Sequence, residues 1–161
     1  MGKMNIEANK GKVTDIKGNI DAKQKELKNL EQRKQDIMDA HNDVDAANID
    51  EKTQQLVFEA LANVRQEISE RGQELSDQLN GDSSMLEEMA QEVNESKGET
   101  EAERKKLEQK KALLDKIGLG ASLESGISEM DESITQLEDL QSSISETSQE
   151  VRNLQTQLGM L

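Results

Sequence analysis

Residues 13–44 read VTDIKGNIDAKQKELKNLEQRKQDIMDAHNDV, and the spacing of their apolar members decides the fold. Val13, Ile16, Ile20, Leu27, Leu30, Ile37 and Val44 recur at intervals of three, four or seven, with Lys23, Lys34 and His41 at the interposed positions of the same register. The pattern returns in Leu86, Met89, Val93, Leu107, Leu114 and Ile117, and again in Leu123, Ile127, Met130, Ile134 and Leu137. Two apolar positions in seven make a narrow stripe, suited to helices that meet along coiled-coil seams. A second region keeps the seam through Val57, Leu61, Val64 and Ile68, then steps four and four around Leu75 and Leu79. Steps of that kind locally unwind or overwind a supercoil.

Composition agrees with an extended helical design. The 161 residues include no Pro, Cys, Trp or Tyr and a single Phe, Phe58. A compact core of this size normally uses several aromatics, because each buries a large area. Here Leu, Ile, Val, Met and Ala must supply the buried surface. Without cysteine there is no disulfide, thiolate metal site or cysteine nucleophile. No apolar run approaches the roughly 20 residues needed to cross a bilayer, so membrane insertion is not expected. The start, Met1-Gly2-Lys3-Met4-Asn5-Ile6-Glu7, lacks the apolar stretch of a secretory signal, and Ile6 breaks a myristoylation match. These features predict a cytoplasmic protein, or one exported without a cleaved signal peptide.

The formal net charge is −14. Residues 1–44 are near balance, with nine Lys/Arg against eight Asp/Glu, whereas residues 121–161 carry eight Asp/Glu and only Arg152. Such an acidic segment is repelled by nucleic-acid phosphates and anionic lipid, so nucleic acid is not expected as a partner.

Three interruptions divide the pattern. The run His41-Asn42-Asp43-Val44-Asp45-Ala46-Ala47-Asn48 favours caps and turns, and Asn48 with Glu51 has capping-box spacing. Asn80-Gly81 supplies a stop, and Ser84 with Glu87 a new start. Gly118-Leu119-Gly120 ends the third segment, after Lys110, Lys111 and Lys116, whose charges suit a helix C-terminus. The fold class expected is all-α: one helical domain, 1–161, of four long antiparallel helices over 4–43, 49–80, 84–117 and 121–159. These would form an elongated coiled-coil-like bundle, because the connections are short. Polar seam positions leave open a pair of hairpins that complete their cores against another chain.

Catalytic chemistry finds no foothold. His41 stands alone among Asp39, Asp43 and Asp45, a spacing that matches no ligand motif, so no metal is expected. Asp43-Val44-Asp45 starts like a calcium loop but fails at Ala47, Asn48 and Gln54. A carboxylate needs an apolar pocket to work as a general acid near neutrality, and a thin-seamed bundle without aromatics offers none. Neither enzymatic activity nor a cofactor is expected. Recognition by surface remains. Leu56, Val57, Phe58 and Leu61 form the densest apolar cluster, with Phe58 as an aromatic anchor, and are the candidate partner-binding residues.

The segment Ile20–Leu79, a long helix, an Asn/Asp-rich break and a second helix around that cluster, resembles the helical-hairpin proteins of type VII secretion in Gram-positive bacteria. It is similar as well to the adaptor and targeting proteins that accompany Leu-Xaa-Gly toxins. The family's Trp-Xaa-Gly turn is replaced by Asp45-Ala46-Ala47-Asn48, so no functional residue transfers. The resemblance implies a non-catalytic protein–protein interaction module, an adaptor, chaperone or targeting partner for a secreted toxin. The alternative is a structural coiled-coil component of an assembly, such as a phage scaffold, secretion-apparatus rod or cytoskeletal linker. The expected partner is another helical protein or a second copy of this chain.

Overall fold

The computed structural model describes residues 4–161, and the Met1-Gly2 start lies outside the described residues. The described chain is all-helical: α1 (Ile6–Ala46, 41 residues), α2 (Glu51–Asp115, 65 residues), a 3-10 turn (Gly120–Leu123) and α3 (Glu124–Gly159, 36 residues). Three long helices therefore replace the four expected, because α2 runs without interruption through Asn80-Gly81 and Ser84. The stop and start signals there are a polar layer inside a helix. Asp82 takes a 2.5 Å salt bridge from Lys23 of α1, with the two side chains 19% and 13% exposed. Asn80 accepts a 3.0 Å hydrogen bond from Gln155 of α3. Tertiary partners thus satisfy the residues that would otherwise have favoured a turn, and α2 keeps its backbone ladder.

The two other breaks are real. Asn5 opens α1, its side-chain oxygen accepting from the Ala8 amide at 3.0 Å. Asp50, rather than Asn48, caps α2. Its carboxylate accepts from the Thr53 hydroxyl at 2.7 Å and the Thr53 amide at 3.1 Å. Both bonds favour the charged form and hold the Asp50 carboxyl below its ordinary range, the hydroxyl bond most. At the far end of α2, Gly118 adopts φ +81°, and the Leu119 amide returns to the Leu114 carbonyl at 2.9 Å. That is the left-handed glycine exit from a helix. Ser122 lies in the 3-10 turn, and α3 begins three residues later than expected.

The chain forms two compact units, and each draws on all three helices. The first contains residues up to Ile16 and Ser84–Gln149. Its interior is Val13, Ile16, Leu86, Met89, Val93, Leu137, Leu140 and Ile144, with Thr147 fully buried and its hydroxyl returned to the Ser143 carbonyl at 2.7 Å. Asn94–Gln141, Lys97–Glu138, Arg104–Asp131 and Lys111–Glu124 link α2 to α3. Steps of three, seven and seven along α2 meet equal steps back along α3, so the two helices are antiparallel in heptad register. Exposed pairs of this type add little stability, and their consequence is alignment.

The second unit contains Lys17–Ser83 and Glu150–Leu161. Leu30, Ile37, Ile68 and Leu75 form its central cluster, with Leu61, Val64, Leu158 and Leu161 packed against it. Glu26–Arg71 and Arg33–Glu67 pair α1 with α2 along the rim. Lys34 reaches the Leu161 carbonyl. A cation at that place offsets the negative end of the α3 dipole, which explains a lysine in a seam register.

Candidate protein-binding groove

The site lies in the second unit, where α1 and α2 continue past the level at which α3 ends. The stripe of α2 that faces α3 is marked by Gly72. A Cβ there would lie 3.4 Å from Leu161 Cδ2 and 3.9 Å from Leu158 Cδ1. Beyond that contact, α1 and α2 border a cleft of about 710 Å³, lined among others by Lys34, Ile37, Met38, Arg65, Ile68 and Leu158. Its lining mixes apolar Ile37, Met38, Ile68 and Leu158 with polar Ser69, Gln73, Ser76 and Gln155, and among the described residues its charged members are the cations Lys34 and Arg65, in a chain that is strongly acidic overall.

None of the four residues picked from sequence lines this cleft; they lie nearer the start of α2. Leu61 is half-buried against the Leu30–Ile37–Ile68–Leu75 cluster. Phe58 is half-buried and stacks on His41, with ring centroids 4.4 Å apart and planes 16° from parallel. Val57 is half-buried, and Leu56 is 60% exposed. Phe58 therefore packs on a partner from α1 while remaining half-buried. Sequence reasoning missed Met38, which is 51% exposed beside the cleft, and both cations. The signal for Lys34 and His41 was present in their seam register, but only the end of α3 shows what that register faces.

In the first unit a smaller cleft of about 360 Å³ is lined by Glu108, Lys111, Asp115, Glu124 and Asp131, mostly carboxylates crossed by ion pairs. Among the described residues no group of three His, Cys, Asp or Glu side chains is placed to hold a metal. No helix among them is long and apolar enough to cross a membrane. The chemistry available at the groove is apolar burial framed by charge. No protein-family model, curated protein or solved structure matches the chain.

Proposed function

We propose that this chain is a non-catalytic helical interaction module that receives a helix of another polypeptide on the groove between α1 and α2. The observation that supports the reading is apolar surface left exposed on α1 and α2, where Met38 is 51% and Leu56 60% exposed, with Phe58 and Leu61 half-buried on the same helix as Leu56. Burying exposed apolar side chains on a helical groove is how amphipathic helices are recognised. Aromatic anchors ringed by weaker contacts concentrate binding energy. The biological role proposed is that of an adaptor or targeting partner, with an exported toxin of the type VII class as the cargo that the sequence resemblance implies.

A photo-crosslinking amino acid placed at Met38 or Leu56, with a control at the exposed Glu92, tests this in cells of the source. Discrete adducts with a helical protein from the first two positions, absent from the control, are expected. Equal labelling at all three, or none, would remove the groove as a binding site. Adducts only with further copies in an open-ended ladder would favour the structural coiled-coil alternative.

A further inference from the structure

The last turns of α2 carry a charge order of their own. At about 100° per residue, Lys105, Lys106, Gln109, Lys110 and Leu113 fall within about 140° of the helix circumference. Lys116, Ile117 and Leu119 continue the same composition into the closing turn. Arg104 and Lys111, which pair with Asp131 and Glu124 of α3, mark the opposite side of α2. The two carboxylates between 105 and 117 are drawn toward that side by the same cations, Glu108 to Arg104 at 2.7 Å and Asp115 to Lys111 at 3.8 Å. Lys105, Lys106, Lys110 and Lys116 are exposed and have no carboxylate within ion-pairing distance among the described residues. Beside them Leu113, Ile117 and Leu119 are 65%, 68% and 56% exposed. In a chain of net charge −14, one face thus gathers cations and open aliphatic side chains. These residues lie in the interior of the sequence, so their order depends on neither terminus.

We propose that this face of α2 docks on an anionic lipid surface, lying along it without entering the hydrocarbon. It belongs to the first unit and is independent of the groove reading. Lysines on an amphipathic helix attract acidic headgroups, and their methylene stems lie down beside neighbouring apolar side chains. Lys105 to Lys116 spans about 17 Å at helical rise, so the four ammonium groups meet several headgroups at once. Leu113, Ile117 and Leu119 then settle between those headgroups. The acidic α3 does not cancel this attraction. It packs on the opposite side of α2, with helix axes about 8–10 Å apart, and its carboxylates are screened from the lipid over a Debye length of about 10 Å at 0.1 M salt. The repulsion expected of residues 121–161 therefore orients the chain with its basic face toward the lipid. A protein partner fits less well, because protein interfaces are enriched in aromatics and Arg and poor in Lys. This face has lysine as its cation and no aromatic, and it borders neither of the clefts described above.

Flotation of the whole chain with vesicles tests the proposal. Mixed phosphatidylserine and phosphatidylcholine vesicles should carry the protein at about 0.1 M salt and release it at about 0.5 M, whereas phosphatidylcholine alone should leave it free. Lys106→Glu with Lys110→Glu should weaken binding about tenfold or more. Lys25→Glu with Lys28→Glu, an equal charge change at exposed positions of α1, should change it less than about twofold. Leu113→Ser with Ile117→Ser should weaken binding several-fold and leave its salt dependence in place. Because the chain has no cysteine, an environment-sensitive dye attached through Leu113→Cys reports one position. Its emission should shift to the blue on anionic vesicles, and the same dye at Asp139→Cys in α3 should not respond. A chain that ignores anionic vesicles at 0.1 M salt overturns the proposal, and so does equal binding to phosphatidylcholine alone. Equal loss from both lysine pairs would reduce the attraction to bulk charge and overturn it too. Protein adducts from a crosslinker at Leu113, without vesicle binding, would assign the face to a protein partner and end the lipid assignment.

Discussion

Lys23 and Asp82 show how a polar pair behaves at a seam. Their 2.5 Å contact sits among Leu27, Leu75, Leu79, Leu154 and Leu158, with little solvent access on either side. Desolvating two charges offsets much of what their attraction returns, so the pair adds less stability than its geometry suggests. Removing one partner is different, because the other is left buried and unpaired. Lys23→Ala is expected to cost about 2 kcal/mol, between the exposed and fully buried limits, in urea unfolding followed by circular dichroism. Lys23→Met combined with Asp82→Leu should match or exceed wild type, since the lining is then wholly aliphatic. A double variant as unstable as the single one would show that the pair itself holds the unit together. What the pair contributes is register: a helix slipped by one turn would bury one of these charges against leucine.

Among the helices, α2 decides the architecture. The helical class and the breaks near residues 47 and 118 followed from pattern alone, as did the buried seam through Leu86, Met89 and Val93, whereas Ile117 of the same register is 68% exposed. The Asn80-Gly81 segment was not legible, because Asn and Gly signal a turn only when nothing else pairs their neighbours. Lys23 and Gln155, far away in sequence, supply that pairing. The same limit applies to the groove. Leu56, Val57, Phe58 and Leu61 are visible as a cluster, whereas the cleft depends on where α3 ends relative to α2. Two glycines test the assignment with opposite signs. Gly81 is helical with nothing within 4 Å of a Cβ, so Gly81→Ala should stabilise by about 0.5–1 kcal/mol. Gly118, at φ +81°, should lose about 1 kcal/mol as Ala, because a side chain resists that backbone. Were Asn80-Gly81 a hairpin instead, Gly81→Ala would destabilise, and thermal melts distinguish the two outcomes.

At the scale of the whole molecule, stability should be distributed unevenly within each unit, following how many helices surround each seam. In the first unit Leu86, Val93 and Leu140 are at most 1% exposed, whereas Leu113 and Ile117 near the end of α2 are 65% and 68% exposed. In the second unit Leu75 and Leu79 are buried against α3, whereas Met38 and Leu56 are 51% and 60% exposed. Local opening costs least where few apolar contacts are lost. Native-state hydrogen exchange should therefore show the slowest amides at residues 86–93, 137–144 and 72–79. Exchange should be much faster at 41–46, 54–61 and 110–117. Uniform protection along α2 would contradict this, because it would require the helix to open only as a whole.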